Sequence, residues 1–291
     1  MDGVIRVLIV DDSAYVRKMV RLLLSRSPFI EVVGAARDGA EALEMAEELR
    51  PHVVTCDITM PVMDGVAFVR AQMARRPVPI VIISVASGNG EQVLSALDAG
   101  AVDFVQKPTA LADERLLDIA EDLVTKVKAA ATAVVSALPV AVPVNGTPKP
   151  AAAPRATGRV EMVVIGVSTG GPQALKVVVP ALPSDLPVPV AIVLHMPAGY
   201  TELYAQKLDE MSPLHVTEAR EGDEVIAGCV FIAPAGRHLT FRRDGAGGVR
   251  THLDLQPVGS LHRPSVDQLF KSAAEVFRAR VLGVVMTGMG S

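Results

Sequence analysis

Cysteine is almost missing from this chain: only Cys56 and Cys229 occur in 291 residues. Two isolated cysteines make neither a disulfide framework nor a metal-ligand cluster, so a reducing, cytoplasmic setting is expected. Long apolar runs are missing too. Nothing approaches the ~18 residues that would cross a bilayer, which argues against membrane insertion. The N-terminus has one basic residue, Arg6, and a short apolar run ending at Asp11 and Asp12, which is not a signal peptide. Charge of one sign is scarce: 28 Lys and Arg face 32 Asp and Glu, a net charge of -4. Neither that balance nor any basic helix-turn-helix pattern points to nucleic acid as a partner.

What is present is an alternation of strand-like and helix-like segments, in a composition that is 50% apolar and 21% charged. Such a length suggests two domains, at roughly 100–200 residues each. Residues 5–10, 32–36, 53–56, 80–84 and 104–105 read as strands. Residues 39–49, 92–99 and 113–128 read as helices, and Ser13 stands as an N-cap before Val16, Met19, Val20, Leu23 and Leu24 at helical spacing. Five βα units predict a flavodoxin-like, doubly wound parallel sheet over residues 1–128. Residues 129–159 are rich in Ala, Val and Pro without a sustained period, which predicts a semi-extended linker. A second, mostly parallel α/β pattern occupies residues 160–291, with strands expected at 163–167, 188–194, 230–233 and 281–286 and a helix over 172–179.

The first pattern gathers chemistry at one sheet edge. Asp11 and Asp12 end the first strand, Asp57 the third, Ser84 the fourth and Lys107 the fifth. Ligands of open parallel sheets bind at that carboxyl edge. Three carboxylates together call for a hard, oxygen-seeking cation such as Mg²⁺. With a hydroxyl and an ammonium beside them they make a phosphoryl-transfer site, with Asp57 as nucleophile.

The motifs VDDS at 10–13, DITMPVMDG at 57–65, IIS at 82–84 and FVQKP at 104–108 resemble the receiver domain of two-component response regulators. That resemblance implies phosphorylation of Asp57 by a partner histidine kinase. It implies Mg²⁺ on Asp12, Asp57 and the backbone carbonyl of Thr59, close to Asp11. It also implies that Ser84 and Phe104, with Lys107, form the switch that responds to the phosphoryl group.

In the second pattern, Gly166-Val167-Ser168-Thr169-Gly170 follows a strand and precedes a helix. This G-x-S-x-G turn lifts a serine hydroxyl above a helix N-terminus, whose free N–H groups favour an oxyanion. His195 ends the next strand, so nucleophile and base emerge side by side. His52, His215, His238, His252 and His262 are expected to be ordinary surface or core histidines. The chain order differs from that of α/β-hydrolases, where the histidine lies far downstream. A nucleotide site is disfavoured because no Walker lysine follows the turn.

IGVSTGGP at 165–172, LHMPAGYT at 194–201, APAGRHL at 233–239, HRPSVDQLFKSAA at 262–274 and TGMGS at 287–291 resemble the catalytic domain of the chemotaxis protein-glutamate methylesterases. The resemblance implies phosphorylation-activated hydrolysis of glutamate methyl esters on methylated chemoreceptors, with methanol released and receptor glutamines deamidated, without a cofactor in the hydrolase domain. It implies Ser168 as nucleophile, His195 as general base, the Met289 N–H in the oxyanion hole and Thr169 beside the nucleophile. The family's triad aspartate follows TGMG by one further residue, and this chain stops at Ser291. The hydrolase domain is therefore expected to be C-terminally truncated, at a cost on the order of 10⁴-fold in rate by analogy with serine proteases. The competing expectation is a non-catalytic, phosphorylation-dependent docking regulator.

Overall fold

The computed structural model describes residues 3–84, 90–107, 116–133, 135, 159–257 and 262–288. The first domain runs β1 (Ile5–Val10), α1 (Ala14–Leu24), β2 (Ile30–Ala36), α2 (Gly39–Leu49), β3 (Val53–Asp57), α3 (Gly65–Arg75), β4 (Ile80–Ser84), α4 (Gly90–Asp98), β5 (Asp103–Gln106) and α5 (Leu116–Thr132). Its five strands are parallel in the order β2-β1-β3-β4-β5. β3 and β4 are buried along their whole length, as expected of strands covered by helices on both faces. Side chains set the helix starts: Ser13, Asp38 and Asp64 each accept a hydrogen bond from a first-turn N–H. Helix α5 continues to Thr132, past the expected boundary at 128, and most of the expected linker lies outside the described residues.

The second domain runs β6 (Met162–Val167), α6 (Gly171–Val178), β7 (Val190–Leu194), α7 (Thr201–Met211), β8 (His215–Glu218), β9 (Cys229–Ile232), β10 (His238–Arg243), β11 (Val249–Asp254), α8 (Val266–Phe277) and β12 (Val281–Val285). A parallel sheet has the order β12-β6-β7-β9-β8, and β10-β11 is a separate antiparallel hairpin. Leu269, Ala273 and Phe277 of α8 pack with Met162, Val164, Leu239 and Phe241 on one side of that sheet.

The opposite side joins the two domains. One apolar core runs from Val93, Leu97 and Ala101 through Phe104 to Tyr200, Tyr204, Leu175 and Leu194. Helix α4 and edge strand β5 of the first domain thus pack onto α6 and α7 of the second. No helix among the described residues is long and apolar enough to cross a membrane.

Candidate functional site

Parallel pairing of β1, β3, β4 and β5 brings the first constellation together. Ligand oxygens of Asp11, Asp12 and Asp57 lie within 4.8 Å of one another. Lys107 Nζ bridges two of them, 2.8 Å from Asp11 Oδ2 and 2.9 Å from Asp57 Oδ2. Burial, with the nearby Asp57 charge, pushes the Asp11 carboxyl above its ordinary range although Lys107 pulls it down. The two carboxylates in turn outweigh burial and hold the Lys107 ammonium above its usual value. Three oxygen donors around one point fit a hard divalent cation. Asp57 Oδ1 accepts from the Ile58 N–H, which fixes the carboxylate at the strand end. Thr59 is exposed in the following loop. Ser84 and Phe104 are both buried, and both touch Tyr200 of the second domain: Ser84 through a side-chain hydrogen bond, Phe104 through rings 4.8 Å apart.

The second constellation rests on the β6–β7 register. Val167 pairs with Leu194, so the next residues, Ser168 and His195, leave the sheet side by side. His195 Nδ1 stands 3.3 Å from Ser168 Oγ. The turn that carries Ser168 needs glycine at Gly170, which has φ +75° and opens α6 with Pro172 in its first turn. The segment after β12 closes over this turn. Ser168 N–H donates to the Thr287 carbonyl at 2.9 Å, and Thr287 Oγ1 donates to the Thr169 carbonyl at 3.0 Å. Met289 lies outside the described residues.

Burial is the main reason that the His195 pKa drops to about 4; the neighbouring His262 and Lys126 add to it, against a weaker pull from the Pro264 carbonyl. With Nδ1 accepting from Ser168, the ring proton sits on Nε2. That atom is buried and completes no well-aligned hydrogen bond among the described residues, and the Pro264 carbonyl is the backbone acceptor that the ring N–H faces.

Sequence reasoning left His262 as an ordinary histidine. It is an exposed residue, as expected of a surface histidine, and its ring also lies tilted against that of His195, with centroids 4.5 Å apart. His238 is a fully buried core residue whose Nδ1 accepts from the Ser265 N–H. Lys126 was missed. It is buried at the domain junction, 3.5 Å from Asp103 and 2.7 Å from the Phe104 carbonyl, and Asp103 itself hydrogen-bonds Thr169 beside Ser168. A cavity of about 260 Å³ between the domains is lined by Asp122 and Lys126 on one side and His195, Met196, His262 and Arg263 on the other. His262 lay within a motif the sequence offered, but its ring contact depends on a loop about 70 residues downstream of His195. Lys126 carried no sequence signal at all.

A receiver-type acidic site, joined by an edge strand and a helix to a Ser–His pair on a parallel sheet, defines a response regulator with an α/β hydrolase output domain. Residues 7–121 match the family model described as response regulator receiver domain, and residues 163–291 match that described as CheB methylesterase. The chain is 46% identical over 288 residues to protein-glutamate methylesterase/protein-glutamine glutaminase 5 of Myxococcus xanthus, covering 98% of this chain and 82% of that protein. It is 41% identical over 292 residues to the protein-glutamate methylesterase/protein-glutamine glutaminase of Halalkalibacterium halodurans, covering 100% and 83%. Among solved structures, the Thermotoga maritima CheB methylesterase catalytic domain is 41% identical, with TM-score 0.44, over 46% of this chain and 70% of that one. This chain belongs to the protein-glutamate methylesterase/protein-glutamine glutaminase family.

Proposed function

We propose that this chain hydrolyses glutamate methyl esters of chemoreceptors, releases methanol, deamidates receptor glutamines and so serves chemotactic adaptation in the cytoplasm, under control of Asp57 phosphorylation. The observation that carries the reading is the Ser168–His195 pair at 3.3 Å beneath a receiver face built from β5 and α5. Ser168 Oγ attacks the ester carbonyl while His195 takes its proton. The tetrahedral oxyanion forms above the N-terminus of α6, whose dipole favours negative charge. Collapse expels methanol, which takes the proton back from His195, and water then releases the glutamate carboxylate by the same route. The Met289 N–H is the family-implied second oxyanion donor, and Thr169 supports the turn. An amide nitrogen in place of the methoxy oxygen leaves as ammonia.

The receiver supplies control. A histidine kinase provides the phosphoryl group, Asp57 accepts it, and Lys107 neutralises charge on the phosphoryl oxygens. Asp11, Asp12, Asp57 and the Thr59 carbonyl would hold Mg²⁺, which shields the same charge. The receiver covers the cleft until Ser84 and Phe104 move.

The test is hydrolysis of a methylated chemoreceptor fragment, followed as methanol release with and without acetyl phosphate and Mg²⁺. Release that acetyl phosphate stimulates, that chelation of Mg²⁺ returns to the basal level, and that Ser168→Ala abolishes, is the expected result. Phosphorylation of Asp57 with no methanol at any concentration would leave the docking regulator as the better account.

A further inference from the structure

Asp98, the last residue of α4, reaches across the domain boundary and is held by two ammonium groups. Its Oδ1 pairs with Lys176 of α6 and its Oδ2 with Lys207 of α7. Among the described residues neither lysine has another ion-pair partner. One ammonium for each oxygen is the arrangement of a fork shaped to a carboxylate. The two helices that carry it begin just after Ser168 and His195, the residues that perform the proposed chemistry. A neighbouring donor extends the seat. Gln173 Nε2, also on α6, donates to the carbonyls of Leu97 and Ala101 at the C-terminal end of α4, the latter at 3.2 Å. The surface formed by α6 and α7 therefore grips two features at once: a carboxylate at the last position of a helix and two backbone carbonyls, of Leu97 in its last turn and of Ala101 in the segment that follows it.

The electrostatics agree with a fork that needs an anion. Although burial pushes the Asp98 carboxyl up, the two lysines outweigh it and hold the group below its ordinary range. The Lys176 side chain is only 9% exposed, and burial holds its ammonium below the usual lysine value in spite of Asp98. When the receiver moves away, Asp98 leaves with it. Two like charges that had shared one carboxylate then face solvent together, and an incoming carboxylate relieves their repulsion.

We propose that the Lys176–Lys207 fork, with Gln173, is a carboxylate subsite for an acidic helical segment of the substrate, and that α4 with Asp98 occupies it in the closed chain as a built-in mimic. This rests on the proposed hydrolase reading, because every ester cleaved leaves a glutamate carboxylate on the substrate. A segment carrying several such sites becomes more acidic with each turnover. The fork draws that segment to the cleft and holds neighbouring sites near Ser168.

The test measures binding, so it does not depend on turnover. A fluorescent alanine-based helical peptide carries one glutamate methyl ester flanked by glutamates; a control peptide has glutamines in place of the glutamates. Anisotropy is read with the full chain in the presence of acetyl phosphate and Mg²⁺. Asp98→Asn is expected to bind the acidic peptide more tightly than the parent chain. Adding Lys176→Gln and Lys207→Gln to that variant is expected to weaken the acidic peptide by roughly three- to tenfold, the scale of two partly exposed ion pairs, and to leave the control peptide unchanged. If the triple variant fails to fold by circular dichroism, Asp98→Asn with Lys207→Gln alone gives the same comparison from the more exposed lysine, at 29%. Equal weakening of both peptides, or no gain from Asp98→Asn, would overturn the proposal. Charge-selective binding without ester hydrolysis would sink only the enzyme reading, and hydrolysis without charge-selective binding only the fork.

Discussion

The ring of Tyr200 packs on the ring of Phe104 at 4.8 Å, and the Tyr200 side chain also shares a hydrogen bond with Ser84. One residue of the hydrolase domain thus touches both receiver residues expected to move on phosphorylation. Tyr200 follows His195 by five positions and stands at the N-cap position of α7, so a shift of Phe104 or Ser84 acts close to the proposed base. Tyr200→Ala should open the closed chain and separate the two halves functionally. The expected outcome is methanol release that is higher without acetyl phosphate and gains little when it is added. A variant that stays fully responsive would show that the signal bypasses this contact.

The depressed pKa of His195 gives a sign to the pH dependence. In the closed chain its value is about 4, below the ordinary 6.5, because burial dominates and His262 and Lys126 add positive charge. The base is therefore neutral down to about pH 4. Protons bind more readily wherever His195 regains water, so stability of the closed form falls as pH drops from about 6.5 toward 4. In the proposed opening the ring is hydrated and Lys126 leaves with the receiver. The acid limb of kcat/KM should consequently lie higher, toward pH 6.5, in the presence of acetyl phosphate than in its absence. Rate profiles measured in both conditions decide this, and coincident limbs would remove the receiver from the environment of His195.

Lys126 and Asp103 are a buried pair at the domain junction, each less than a tenth exposed, 3.5 Å apart. Removing Lys126 strands the Asp103 charge in a dry setting, which costs about 3–5 kcal/mol, whereas its other partner, Asp122 at 3.4 Å, is 40% exposed and regains water. Lys126→Ala should lower the denaturant midpoint accordingly. Asp103 also contacts Thr169, so the double change Lys126→Met with Asp103→Leu tests whether charge or shape matters there. Recovery of the midpoint in the double variant is the expected result. A single variant within about 1 kcal/mol of the parent would mean that water reaches the pair.

The gathering of Asp11, Asp12 and Asp57, and of Ser168 and His195, was legible in the sequence because both groups sit at strand ends, and strand ends follow from short apolar runs. β1 and β4 were legible to the residue for that reason, as Ile5–Val10 and Ile80–Ser84 show, and α2 was legible as the helical stretch Gly39–Leu49 between two strands. Helices α3, α7 and α8 and the β10–β11 hairpin went unassigned. In α7, the exposed Glu202 and partly exposed Lys207 interrupt the stripe of Tyr204, Ala205 and Leu208, and its N-cap residue, Tyr200, makes no side-chain cap. The hairpin joins through Asp244 and Gly247, but its strands carry Arg242, Arg243 and Arg250 and alternate weakly. The junction was illegible in a deeper sense. Asp98, Lys126 and His262 are ordinary residues in their own segments, and only docking of one domain on the other brings Asp98 to Lys176 and Lys126 toward His195.

Gly288 offers the sharpest test of the nucleophile turn. Its φ of +147° is a backbone that residues with side chains rarely adopt, and an added Cβ would lie 2.6 Å from Ser168 Cβ and 3.1 Å from the Ser168 nitrogen. Neither neighbour is the free end of a flexible chain, so the turn itself must shift. A displacement near 1 Å at reacting atoms costs on the order of 10²-fold in rate. Gly288→Ala is therefore expected to lose about that much methanol release while Asp57 is still phosphorylated by acetyl phosphate, because the receiver is untouched. Gly247→Ala controls for backbone strain alone. Its φ is +88°, yet an added Cβ meets nothing within 4 Å, so it should cost stability, roughly 1–2 kcal/mol, and leave the rate intact. Equal losses of activity in the two variants would mean that strain, and not crowding against Ser168, governs the effect.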